Sequence, residues 1–339
     1  CTAAGAQDGA IDHSSFLSDG IRFIVDDQLP VNLRVLALAF GGDDITNVAF
    51  KTYNTGTATG NQNFTGVGFN PGSDSLFIFF GGLDLGLSGN EDLMQMTIGA
   101  ARSATPVQQY VTMVNSDDDS ATMDTDSYSI SGECLVTIAQ AGATVTNFRA
   151  AFVGSVTDGF TLNVIENSIP SGKQFFVLIL KGGSYHLGDL LTQTDTTTDI
   201  VESGFGFQPR GAMFVSHCLA QSVADTTQVG AELSIGACTN TTDEGCLALQ
   251  DENGTGNMET EAAIEHDAVY ANISATATID GLMQAITFPQ LDGFTMEMSD
   301  ADPAQAFVWY LAAGDTAVAT VTPPPPTIVR DAVLRAAQW

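Results

Sequence analysis

Two acidic stretches hold the residue types best suited to chemistry. Asp117-Asp118-Asp119 and Asp251-Glu252-Asn253-Gly254 each lead into alternating acids, Asp124/Asp126 and Glu259/Glu261. Alternation places each such pair on one face of a strand. Calcium is held by about six to eight oxygens, and acidic loops of this kind supply them. Asp117, Asp118, Asp119, Asp251 and Glu252 are therefore the candidate calcium ligands, although neither stretch has the glycine and glutamate spacing of an EF-hand. The competing expectation is a solvated anionic face. No other cofactor is expected.

The remaining reactive residues form no constellation. The four histidines, His13, His186, His217 and His266, are never three or four positions apart, so they do not present the converging ligands that zinc needs. His217 and Cys218 are neighbours, which on a strand turns them to opposite faces. The five cysteines, Cys1, Cys134, Cys218, Cys238 and Cys246, do not recur at equivalent positions, and free buried thiols are the expected state. Cys238 and Cys246 could bridge across a hairpin. Gly-x-Ser-x-Gly is absent, and no carboxylate pair is marked out for glycoside hydrolysis. No enzyme is expected.

These residues must be carried by strands. Short apolar runs recur, as at Ser75–Phe80, Gln109–Val114, Phe175–Leu180, Ala212–Ser216 and Phe307–Leu311, each bounded by Gly, Asp, Asn or Ser. Their length suits strands and is too short for ordinary helices. The one expected helix is Ile328–Gln338, beyond the stiff spacer Pro323–Pro326, with Val329, Ala332, Val333 and Ala336 on one stripe.

Composition narrows the classes further. With 40 acidic against 10 basic residues the net charge is −30, yet only 15% of residues are charged and 44% are hydrophobic. Ten scattered cations cannot neutralise a phosphate backbone, and an anionic membrane surface would repel the chain. Neither nucleic acid nor membrane is an expected partner.

An internal repeat organises the whole sequence. Gly66-Val67-Gly68-Phe69-Asn70-Pro71 returns as Gly204-Phe205-Gly206-Phe207-Gln208-Pro209, and Ile98-Gly99-Ala100 as Ile235-Gly236-Ala237. Asp158-Gly159-Phe160-Thr161-Leu162 returns as Asp292-Gly293-Phe294-Thr295-Met296, and Gln174-Phe175-Phe176-Val177 as Gln305-Ala306-Phe307-Val308. The end of the unit appears a third time as Asp19-Gly20 and Val35 through Gly42. The expected fold is all-β, in tandem jelly-roll-like β-sandwiches of about 135 residues (66 to 204 is 138, 174 to 305 is 131) with a short C-terminal helical tail. The expected units are the end of an incomplete repeat at 1–58, full repeats at 59–196 and 197–321, and a Pro-rich tail at 322–339. Phe69, Pro71, Phe207, Pro209, Gly159 and Gly293 are expected to be scaffold. The incomplete repeat implies a piece of a longer polypeptide, or strands supplied by another copy.

The unit, from Gly-Val-Gly-Phe-Asn-Pro through Asp-Gly-Phe-Thr-Leu to Phe-Val-Leu-Ile-Leu-Lys-Gly-Gly, resembles tandem-repeat proteins of tailed bacteriophages. The resemblance covers residues 1 to about 315. It implies a virion surface or appendage component, in a family with no catalytic residues to carry over. The expected function is a structural or adhesive role on a virion, as capsid decoration, tail or fibre. Expected partners are copies of the chain, other virion proteins and host surface glycans. Val329, Val333 and Trp339 are the expected docking residues. The alternative is a secreted or cell-surface protein, either a filament subunit completed by strand donation or a carbohydrate-binding module.

Overall fold

The computed structural model describes residues 10–16, 21–27, 44–84, 93–117, 124–138, 146–168, 172–220, 228–251, 260–274 and 278–314. The chain is all-β, and no helix occurs among the described residues. The expected helix at 328–338, with Val329, Val333 and Trp339, lies outside them.

A hairpin, β1 (Ala10–Phe16) with β2 (Ile21–Asp27), comes first. The first full repeat then runs through β3 (Ile45–Asn54), β4 (Gly60–Thr65), β5 (Ser75–Asp84), β6 (Leu93–Arg102), β7 (Gln108–Asp117), β8 (Asp124–Ser131), β9 (Leu135–Ile138), β10 (Thr146–Val156), β11 (Gly159–Asn167) and β12 (Lys173–Gly182). The second comprises β13 (Ser184–Leu191), β14 (Ile200–Ser203), β15 (Pro209–Ala220), β16 (Gln228–Val229), β17 (Ala231–Cys238), β18 (Glu244–Asp251), β19 (Thr260–Glu265), β20 (Tyr270–Ile273), β21 (Ile279–Gln290), β22 (Gly293–Asp300) and β23 (Ala306–Gly314).

Both repeats fold into the same antiparallel sandwich. The first has a large sheet β8-β7-β6-β5-β12-β3 against a small sheet β4-β11-β10-β9. The second has β19-β18-β17-β15-β23-β13 against β14-β22-β21-β20, the same order one repeat later. Strand pairing draws the units one strand earlier than the motifs do. Ile45–Asn54, within the expected 1–58 unit, pairs with β12, and Ser184–Leu191 pairs with β23 of the following unit. Each sandwich therefore opens with an edge strand that the chain lays down before the recognisable motif begins. The two-residue β16 crosses over and pairs with β8 of the first repeat, protecting that edge.

The two repeated motifs are halves of one device. Asp158, in the hairpin turn between β10 and β11, accepts the Gly68 N–H on Oδ1 at 2.6 Å and the Gly66 N–H on Oδ2 at 3.1 Å. Asp292 grips Gly206 in the same way at 2.6 Å. The glycine-rich motif is thus a loop held by a carboxylate. Gly159 is required by proximity, since a Cβ there would lie 2.0 Å from the Phe64 carbonyl oxygen; at Gly293 the distance to Glu202 O would be 1.9 Å. Phe160 and Phe294 then drop fully into the two cores, where Phe160 meets Phe64, Phe77, Phe79 and Phe152. Phe207 and the half-buried Phe69 join the same two cores, and Pro71 and Pro209 are buried.

The central strands of the large sheets are buried on both faces. Along β5, Phe77 and Phe79 enter the first sandwich core, while Leu76 and Ile78 enter a separate cluster. Along β23, Val308 and Tyr310 face the second core, while Phe307, Trp309 and Leu311 join that same separate cluster. Two-sided burial is what makes these strands read as continuous apolar runs. The molecule is a four-layer slab: small sheet, two large sheets face to face, small sheet. The hairpin is different. Val25 is 57% exposed, whereas its repeat counterparts Val164 and Met298 are each 1% exposed.

Candidate functional site

Besides the two sandwich cores, the chain buries a third cluster of large side chains in the seam between the two large sheets. Leu76, Ile78, Ile98, Ala100, Val114 and Leu180 come from the first repeat. Tyr185, Leu187, Met213, Val215, Leu233, Phe307, Trp309 and Leu311 come from the second. Each large apolar side chain removed from water here contributes roughly 2 kcal/mol.

Polar groups fix the register of this contact. The Trp309 indole N–H donates to Thr112 Oγ1 at 2.9 Å, and the indole stacks on Tyr110 with ring centroids 6.5 Å apart. The Tyr110 hydroxyl donates to Asp189 Oδ1 at 2.8 Å, and burial together with that bond pushes the phenol up well above its usual range. At the other end Ser116 Oγ donates to Asp251 Oδ2 at 2.5 Å. His217 is fully buried with neither ring nitrogen hydrogen-bonded, and alternation along β15 sets it on the face of Met213 and Val215. Desolvation lowers its pKa to about 4, so it sits in the seam as a neutral ring.

The acidic candidates are divided by the fold. Asp251 closes β18 and is 5% exposed, occupied by Ser116 across the seam. It therefore does not lie on a solvated anionic face. Asp126 is also buried, paired across from Asn115 on the inner face of β7 and β8. Asp118, Asp119 and Glu252 lie outside the described residues, and of Asp117 only the backbone at the end of β7 is described. Among the described residues no three acids, histidines or cysteines converge on a point that could hold a metal.

The other reactive groups serve the cores. Cys134, Cys218, Cys238 and Cys246 are free and buried, so Cys238 and Cys246 form no bridge. Cys218 sits in the second core on the opposite side of β15 from His217, as adjacent strand residues should. His186 stacks on Phe205 with centroids 4.4 Å apart, and burial, aided by the Arg102 charge, lowers its pKa.

One buried cluster has no signal in the sequence. Asp302 accepts from Thr192 Oγ1 at 2.7 Å, Tyr270 hydroxyl at 2.8 Å and the Asn272 side-chain amide at 3.3 Å, joining β20 to the turn before β23. Glu232 in β17 is held near this carboxylate, and burial, with the charges of Asp302 and Asp280, raises its pKa to about 7. These acids are scattered at 232, 280 and 302, so only the closed sandwich brings them together.

A surface cleft of about 440 Å3 opens at one end of the first sandwich, lined by Gly72, Ser73, Ser103, Thr105, Pro106 and Val153 among others. Its lining carries no titratable side chain, so it offers shape and hydroxyls but no group for acid–base work. No helix among the described residues is long and apolar enough to cross a membrane. No protein-family model matches the chain, and no curated protein matches it.

Proposed function

We propose that this chain is a non-enzymatic structural component that works through its sheet faces, as a rigid building block of a virion surface. The observation that carries this reading is the seam. Two sandwiches that could each fold around one core instead share a third apolar layer, with Trp309, Tyr110 and Asp251 locking the register. Such an investment gives a stiff slab of fixed dimensions, which suits a spacer or decoration better than a flexible string of modules. The virion setting rests on the resemblance of the repeat motifs to phage tandem-repeat proteins. Immunogold electron microscopy of the native source, with antibody against residues 197–315, tests it. Label on phage heads or tails is expected; label on envelopes or free filaments, with bare virions, would overturn the virion setting.

The filament reading keeps one specific support. β16 already leaves its own unit to extend the large sheet of its neighbour, pairing Gln228 with Ser127 and Val229 with Asp126. A chain that lends a strand internally has the means to lend one between copies.

A further inference from the structure

The outer face of the first repeat's large sheet is only partly covered. Val48 and Phe50 are 60% and 62% exposed and Phe80 is 37% exposed, with Phe176 stacked on Phe50 and half-buried. The second repeat states what belongs there. Register places Val48 at the position of Leu187, since each faces the matching leucine, Leu180 or Leu311, on the neighbouring strand. Likewise Phe176 matches Phe307, Leu178 matches Trp309 and Phe80 matches His217. Leu187, Phe307, Trp309 and His217 are all at most 4% exposed, because β6, β7 and β8 of the first repeat lie over them.

The opposite end of the slab shows the complementary vacancy. Thr112, Val114 and Ser129 of the first repeat are at most 1% exposed under the second. Aligned on the repeated Ile98-Gly99-Ala100 and Ile235-Gly236-Ala237, whose glycines both lie against a carbonyl of the small sheet, their counterparts are Leu247, Leu249 and Ile264. Leu247 and Leu249 are only half-buried, and Ile264 is 37% exposed. The two large sheets are therefore staggered, with β3 overhanging at one end and β18 and β19 at the other.

The side chains at the two overhangs have changed together. Inside the molecule Trp309 hydrogen-bonds Thr112, and Asp189 accepts from Tyr110. On that alignment the corresponding pairs at the free faces are Leu178 with Leu247 and Phe50 with Gly245. The first exchanges a polar pair for an apolar one. The second sets a large ring against a residue with no side chain, the reverse of a large tyrosine against a small aspartate.

We propose that the β17–β19 face of one copy stacks on the β3-β12-β5 face of the next, repeating the internal seam head to tail. The contact is heterologous, so copies add in running stagger and the assembly stays open-ended unless it closes into a ring. The inference stands on the seam geometry alone and does not depend on where the protein is found.

Sedimentation of the full chain tests it, in about 0.5 M salt so that the charge of −30 on each copy is screened. The wild type should gain mass with concentration beyond a dimer. Phe50→Asp and Ile264→Asp, both on exposed positions and each checked for an unchanged circular dichroism melt, should weaken self-association at least tenfold. An equimolar mixture of the two should form a complex of two chains and no larger, because each retains one intact face. Val48→Asp and Ala262→Asp repeat the design should either first choice fail to fold. A wild type that stays monomeric up to about 1 mM, an affinity limit of roughly 4 kcal/mol, overturns the proposal. So does an Ile264→Asp variant that still dimerises, which would indicate like-to-like pairing, or a mixture that does not associate.

Discussion

Between pH 4 and pH 8 a half-buried acid and a fully buried histidine should act on stability in opposite directions and conceal one another. Glu232 has its pKa raised from 4.5 to about 7, chiefly by burial and secondarily by Asp302 and Asp280. The native state keeps a proton that the unfolded chain releases above 4.5, so stability falls as pH rises from 4.5 to about 7. At about 1.4 kcal/mol per pH unit, this amounts to about 3 kcal/mol. His217 has its pKa lowered from 6.5 to about 4 by burial alone. Below 6.5 the unfolded chain takes up a proton that the native ring refuses, so stability rises with pH from about 4 to 6.5, again by about 3 kcal/mol. Through the shared window the slopes cancel. Single substitutions uncover them: relative to wild type, Glu232→Gln should gain about 3 kcal/mol on going from about pH 4 to pH 8, and His217→Leu should lose about the same. Urea melts at intervals across that range give both differences directly, since the many other carboxylates are common to all three chains. Trp309 fluorescence, with Trp339→Phe leaving it as the one tryptophan of the two, reports the seam itself. A Glu232→Gln curve parallel to wild type would refute a neutral native carboxyl. A parallel His217→Leu curve would mean that the ring is hydrated or protonated in the folded protein.

Other expectations are simpler to check. Phe160→Ala and Phe294→Ala should each lower unfolding free energy by about 3–5 kcal/mol, because both rings are fully buried at the centre of a sandwich; a neutral effect in denaturant melts would contradict the hairpin assignment. Asp158→Ala releases the amides of Gly66 and Gly68 and should cost about 1–3 kcal/mol, with faster amide exchange confined to that loop. Asp158→Asn, which keeps one acceptor, should fall between. EDTA should leave the melting temperature unchanged, whereas a drop of several degrees restored by calcium would make Asp117, Asp118, Asp119 and Glu252 metal ligands.

The strands and the all-β class were legible in the sequence because the signal of each is local. A run such as Phe175–Leu180 announces a strand, and the recurrence of Asp-Gly-Phe announces that the same turn is built twice. What joins Asp158 to Gly66 was not legible, since the two motifs lie 92 residues apart and only pairing of β11 with β4 brings them together. The unit boundary escaped for a related reason. β3 and β13 carry no shared motif, and their membership is decided by the strand each pairs with. Asp251 read as a loop acid because its chain neighbours are polar. Its burial is imposed from outside, by Ser116 of the other repeat.

A signal for the seam was present, in the phase of the apolar residues. A sandwich strand with one wet face alternates, as β10 does with Phe148, Ala150 and Phe152 buried between partly exposed neighbours. Phe307-Val308-Trp309-Tyr310-Leu311 does not alternate, and such a strand must be covered on both sides. Positions that are alike in the two repeats, Asp158 with Asp292, Gly159 with Gly293 and Phe160 with Phe294, are those that make a sandwich. The positions that differ between the repeats, Thr112 against Leu247, Trp309 against Leu178, Asp189 against Phe50 and His217 against Phe80, are those that make sandwiches meet. Each differing pair contrasts a residue at the internal seam with its counterpart toward an overhang, and the overhang member is apolar in all four. Were the overhangs meant to stay in water, drift would favour polar residues there, as the excess of Asp, Ser and Thr elsewhere on this chain illustrates. The conserved half of the repeat thus explains the fold, and the divergent half points to what the folded slab touches.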